Sequence, residues 1–183
     1  MTGRAGGTRR ALLEAANHII RTEGTDRLTL DRVAAIAGVS KGGLLYHFGT
    51  KRALLAALLE ETLADADDEL ERLAQARGDR AGAFAHAYLD FVRDRTHTDA
   101  TAAGVLAAAA LEDGDLDPAR ERFATWQSRL IEDDCITPDD ALLTRVIGDG
   151  LWLIDLFDLA PPTDAQREAL LDRVAALVDE TAR

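Results

Sequence analysis

Covalent cross-links are the first thing this 183-residue chain lacks. Its single cysteine, Cys135, cannot close an internal disulfide, which excludes a disulfide-framed secreted scaffold and suits a reducing compartment. A lone thiol of this kind reads as a small buried hydrophobe. Aromatic residues make up only 5% of the chain and β-branched runs are missing, whereas alanine and leucine recur throughout a composition that is 47% hydrophobic. That balance favours helix over strand and predicts an all-α fold. No window approaches the roughly 18 continuous apolar residues that span a bilayer. The N-terminus carries Arg4, Arg9 and Arg10 without an apolar stretch behind them, so a soluble, cytoplasmic protein with no membrane partner is expected. No Walker loop, dinucleotide fingerprint or HExxH occurs, so the sequence offers no catalytic residue, cofactor or metal site.

Lysine is nearly absent as well. The only two, Lys41 and Lys51, stand ten residues apart in the first third of the chain. The net charge of -12 argues on its own against a polyanionic partner, yet it hides an asymmetry. Residues 1–55 hold nine cations against four anions, a balance of +5 that leaves -17 for the remainder. A basic first third on an acidic molecule is an electrostatic footprint for double-stranded DNA confined to one end.

Helix signals follow one another along the chain. Thr8 is expected to cap a first helix ending at Gly24. Thr29 begins a short second helix that Gly38 stops, and Ser40 caps a third from about Lys41 to His47, broken by Gly49. Thr50 opens a long fourth helix reaching Arg77. Further helices are expected over 80–96, 99–111, from Asp117 and Pro118, from Pro138 behind Thr137, and from Thr163 to Thr181. This makes nine helices: a three-helix helix-turn-helix domain over 1–50 and a helical ligand-binding and dimerisation domain over 51–183.

The stretch Leu28 to Leu55, LTLDRVAAIAGVSKGGLLYHFGTKRALL, carries the functional signal. Thr29, the turn Ile36-Ala37-Gly38-Val39-Ser40, then Gly43, Leu44, His47, Phe48, Lys51, Leu54 and Leu55 together resemble the DNA-binding domain of the tetracycline-repressor-like (TetR) family. The aromatic that many relatives place at Leu45 stands one position later here, at Tyr46. The residues also have their own physical reasons. Gly38 supplies the left-handed backbone of a tight turn, and Val39 plugs the gap between the two helices. Ser40 turns its hydroxyl and the first free amides of the third helix towards phosphate. Lys41 is the long cation of the first turn and a donor for guanine O6 and N7. Gly42 and Gly43 cost a helix about 1 kcal/mol each, which predicts a close backbone approach to DNA. Tyr46 and His47 suit phosphate contacts that position the protein, and Leu44, Leu45 and Phe48 read as core. The resemblance further implies that Thr29 and Lys51 clamp the DNA backbone.

Later constellations are weaker. His86, Asp90 and Asp94 fall on one helical stripe with His97 a turn further on, an arrangement commoner among solvated faces than among metal sites. Tyr88, Phe91, Trp126 and Trp152 lie on expected helices of the acidic domain, where they either fill the core or line a cavity for a small-molecule effector. The helix after Pro138 is apolar nearly all round, so its own core can cover one side and a second copy of the chain the other. With Gly148 and Gly150 allowing close approach, Val146, Gly150, Ile154 and Phe157, joined by Val174 and Leu177 of the last helix, are the expected homodimer interface. The expectation is an operator-binding homodimeric repressor released by a largely apolar, and by its charge environment cationic, effector. The rivals are an inducer-independent DNA-binding protein of the same fold and, more remotely, a metal-binding or enzymatic module using the His86 face.

Overall fold

The computed structural model describes residues 2–94, 105–106, 116–132 and 135–182. Among these the chain is all-helical, with α1 (Thr2–Glu23), a 3-10 turn (Thr25–Arg27), α2 (Leu30–Ala37), α3 (Lys41–His47), α4 (Lys51–Arg77), α5 (Ala83–Arg93), α6 (Asp117–Glu132), α7 (Pro138–Phe157) and α8 (Asp164–Thr181). The helix expected over 99–111 lies, apart from Val105 and Leu106, outside the described residues, as does His97. α1 begins at Thr2, upstream of its expected cap at Thr8, because no proline interrupts the backbone bonds there. α3 ends because Phe48 turns extended (φ -135°, ψ 95°), one residue before the expected break at Gly49.

Two compact units result. The first comprises residues up to 62 together with Val105, Leu106 and 116–118; the second comprises 63–94 and the described residues from 119 onward. The division falls inside α4, between Thr62 and Leu63.

In the first unit α1 packs on α2 and α2 on α3. Its core is made of Leu12, Leu13, Ala16, Ile19, Leu28, Val33, Leu44, Phe48, Leu54 and Leu58, all buried. On α1 and α4 these positions fall mostly three or four residues apart, one apolar stripe facing the core, and α2 and α3 add Val33 and Leu44. In the second unit α5 packs against both α7 and α8. The core there gathers Phe84, Ala85, Leu89, Leu130, Leu151, Leu171, Val174 and Val178. α7 and α8 are tied by a buried fork, in which one Arg167 terminal nitrogen lies 2.5 Å from both carboxylate oxygens of Asp155. Caps act as the residues predict: Thr137 accepts from Asp140 N with Pro138 behind it, and Thr163 forms a full capping box with Gln166.

The glycines of α7 divide by face. A Cβ at Gly148 would meet Tyr88 Cε1 at 2.6 Å and Val92 Cγ2 at 2.9 Å, so this glycine admits α5 of its own chain rather than a partner. At Gly150 nothing lies within 4 Å. Val174, expected at the subunit interface, is instead buried in the core of its own unit because its face of α8 points at α5 and α7. Cys135 also departs from expectation: it is exposed, with φ 54°.

Candidate nucleic-acid interface and effector domain

The reading head is built by its turn. Gly38 is left-handed (φ 66°, ψ 28°) and its N–H reaches the carbonyls of Ala34 and Ala35, which closes α2 and redirects the chain within two residues. Thr29 caps α2 by accepting from Arg32 N, and Ser40 caps α3 by accepting from Gly43 N at 3.1 Å. Each hydroxyl accepts one bond and keeps its own hydrogen to donate, which a phosphate oxygen can receive.

Val39 is half-buried in the turn, and its side chain lies against α3. A Cβ on Gly43 would approach Val39 Cγ1 to 2.8 Å, so Gly43 has an internal packing reason to be glycine. Gly42 has none, since nothing stands within 4 Å of its would-be Cβ. The two glycines that the sequence treats alike are therefore different.

Leu44 and Phe48 hold α3 to the core, and the Arg9 guanidinium lies 5.5 Å above the Phe48 ring. On the outer face Lys41, Gly42, Leu45 and Tyr46 point to solvent at helical spacing. Tyr46 is 83% exposed and Leu45 42%. Leu45, expected in the core, is thus an outward residue, because the inward stripe of so short a helix is already taken by Leu44 and Phe48. His47 stacks edge-on against Tyr46, with ring centroids 5.2 Å apart. Lys51 is half-buried at the start of α4 and Thr50 caps that helix through Ala53 N. Carboxylates hold two of the head's cations: Arg32 pairs with Glu23 at 2.5 Å and Lys41 with Asp31 at 2.8 Å.

In the second unit the expected ligand residues separate. Tyr88 and Trp126 are buried in the core and Phe91 packs against it, while Trp152 is half-buried outside that cluster. Polar groups not anticipated from sequence accompany the aromatics. Trp126 Nε1 donates to Asp67 Oδ1 of α4 at 2.7 Å, and Arg122 pairs with the same carboxylate. The Tyr88 hydroxyl donates to Asp149 Oδ1 of α7 at 2.6 Å. Arg145, one turn before Asp149, donates to the Phe123 carbonyl and places Nε 3.6 Å from Asp149. Burial pushes the Asp149 carboxyl above its ordinary value, and the Tyr88 bond and Arg145 oppose that rise. Burial, reinforced by Asp149, holds the Tyr88 phenol well above 10.0. Gln127 Oε1 is buried with no hydrogen-bond partner among the described residues. Opposite charges spaced i, i+4 within the apolar middle of the helix were the available signal for Arg145 and Asp149. His86 meets Asp179 at 2.8 Å, and Asp90 is shared by Arg77 and Arg93.

Of the expected interface, Val146 is 53% and Phe157 58% exposed, Gly150 opens to free space, and Ile154 and Leu177 are half-buried. Leu142 and Leu153 extend the same exposed stripe of α7.

Comparison with known proteins places these features in a family. Residues 12–58 match the family described as bacterial regulatory proteins, tetR family, and residues 82–179 match the tetracyclin repressor-like C-terminal domain. The chain is 37% identical over 68 residues to the HTH-type transcriptional regulator TtgR of Pseudomonas putida, a match spanning 37% of this chain and 32% of that protein. Among solved structures, a transcriptional regulator from Rhodococcus sp. Rha1 superposes with a TM-score of 0.75 at 21% identity, covering 96% of this chain and 98% of that one. The multidrug binding protein EbrR complexed with ethidium superposes with a TM-score of 0.63 at 21% identity, covering 91% and 97%.

Proposed function

The chain belongs to the TetR family of bacterial regulatory proteins, and from that premise we propose that it is a homodimeric repressor which a cationic, largely apolar effector releases from its operator. It is a DNA-binding transcription regulator, not an enzyme. The observation that carries the reading is the outward face of α3, where Lys41, Gly42, Leu45 and Tyr46 stand free of the core on a helix locked by two caps and a left-handed turn. Such a helix meets the major groove without prior rearrangement, and preorganisation lowers the cost of binding.

Dimerisation is supported by the apolar stripe of α7. Leu142, Val146, Leu153 and Phe157 are large, apolar and exposed along one helix face, with open space over Gly150 between them. A two-fold dimer carries two reading heads, which occupy successive major grooves of a near-palindromic site when they stand about 34–36 Å apart.

The effector reading draws on the second unit. Asp67 and Asp149 are carboxylates set among Trp126, Phe123 and Tyr88, a combination that suits an aromatic cation. The likeness to EbrR complexed with ethidium, a planar cation, lends the same class. α4 offers the coupling: Lys51 opens it and Asp67 lies further along it, so a ligand that takes Asp67 from Trp126 and Arg122 biases the helix that begins beside α3. By linkage, DNA weakens the effector by the same factor as the effector weakens DNA.

The test is direct. Operator fragments are selected from random duplexes with the purified protein, and ethidium and related cations are titrated by tryptophan fluorescence and by gel shift. The proposal expects quenching and operator release at the same concentrations. Quenching without release refutes the coupling, and a monomer bound to a single half-site refutes the dimer.

A further inference from the structure

The cation best placed for base readout is not alone. Lys41 Nζ lies 2.8 Å from Asp31 Oδ1 and 3.1 Å from Asp31 Oδ2, so the carboxylate of α2 holds two of its three N–H directions. Both side chains are open to solvent, at 64% and 69% exposure. An ion pair that exposed adds little to folding. As a carboxylate in the first turn of α2, Asp31 also suits the positive end of that helix, but this role needs no contact with Lys41. The neighbouring cation, Arg32, is already taken by Glu23, so Asp31 and Lys41 serve each other.

On the edge of a duplex the pair has a specific counterpart. A G·C base pair presents in the major groove the acceptors O6 and N7 of guanine beside the N4 amino donor of cytosine. Guanine O6 and cytosine N4 are themselves hydrogen-bonded, hence about 2.9 Å apart. The Lys41 nitrogen and the Asp31 oxygens are 2.8 and 3.1 Å apart, with donor and acceptor in complementary order. We propose that Asp31 is a second base-reading residue, and that Asp31 and Lys41 together read one G·C pair per half-site. Lys41 donates its remaining N–H to guanine, and a carboxylate oxygen of Asp31 accepts from cytosine N4. A T·A pair repeats this acceptor and donor in the same order through thymine O4 and adenine N6, but sets the thymine methyl where guanine has its second acceptor, N7, while A·T and C·G pairs reverse the order. Off the operator, the same carboxylate faces phosphates and weakens binding.

This proposal rests on α3 entering the major groove, and the experiment separates the two. The intact protein and its Asp31→Ala, Lys41→Ala and doubly substituted forms are each put through selection from random duplexes, then titrated on operators carrying all four base pairs at the position concerned. Wild type is expected to select G·C there. Asp31→Ala is expected to cut the preference for G·C about tenfold, the scale of one mismatched pair, and to tighten binding to unrelated DNA. Lys41→Ala is expected to lose the preference too, and the double substitution to lose no more than Lys41→Ala alone. If Lys41→Ala loses the preference while Asp31→Ala keeps it, the role of Asp31 is wrong and the placement of α3 stands. If Asp31→Ala tightens all sequences alike with the preference intact, Asp31 is only a charge and the proposal is overturned. If neither substitution alters any base preference, α3 does not read bases and both readings fall.

Discussion

Adding one methyl group at either of two adjacent positions should have opposite consequences. At Gly42 the new Cβ meets nothing within 4 Å, so Gly42→Ala meets no clash and gains helix propensity, worth up to about 1 kcal/mol. For a chain of this length that raises Tm by roughly 2–4 °C. At Gly43 the same methyl would stand 2.8 Å from Val39 Cγ1. Valine is stiff at χ1 and Val39 is half-buried in the turn, so relief means moving α3 or forcing a rotamer, at roughly 1–3 kcal/mol. The propensity gain offsets only part of this, so Gly43→Ala should be destabilising. DNA binding reverses the order for Gly42, because its open space is where the groove would lie. Gly42→Ala is expected to be more stable yet to bind operator more weakly, whereas Gly43→Ala should lose operator affinity in step with its fold. Thermal melts followed by circular dichroism give the first quantity and fluorescence anisotropy with labelled operator the second. Unchanged operator affinity in Gly42→Ala would refute the close approach at that position, and a stabilised Gly43→Ala would refute the packing argument.

Lys41→Ala is expected to cost about 1–3 kcal/mol in operator binding and to relax the preference at one position per half-site. Lys51→Ala should weaken all sequences alike and reduce the salt slope by about 0.9 for each phosphate it no longer neutralises; an altered sequence preference would contradict that role. Val146→Asp or Phe157→Asp should give monomers in analytical ultracentrifugation with the fold retained, since both side chains already face solvent in the single chain; Val174→Asp should unfold the second unit instead, because it buries an unpaired charge. Asp149 has its folded pKa raised above the ordinary 3.8, so the native state holds a proton that the unfolded chain releases. Stability linked to this group is therefore present below 3.8 and lost as pH rises through the folded value. Asp149→Asn, which keeps an acceptor for Tyr88, should flatten that part of the Tm–pH curve; an unaltered slope would refute the assignment.

Much of this protein is encoded within a few residues at a time. Thr29, Ser40, Thr50, Thr137 and Thr163 all stand at helix starts, and Gly24, Gly38 and Gly78 have positive φ just beyond helix ends. Capping and left-handed turns are decided between residues no more than about four apart, so their signals survive in the bare sequence. The helix-turn-helix was legible for the same reason.

What the tertiary structure alone decided is which way each residue faces and what meets it there. Gly148 and Gly150 are indistinguishable in sequence, yet one receives Tyr88 and Val92 while the other opens outward, because α5 covers a single side of α7. Val174 and Leu177 share an apolar stripe of α8, and their different depths follow from where α5 and α7 lie. The partners of Trp126, Tyr88 and Lys41 are carboxylates 59, 61 and 10 residues away in the chain. No local rule pairs such groups. Burial and long-range polar contacts depend on how helices are arranged in space, and an apolar periodicity names the stripe that must be covered without naming the helix that covers it.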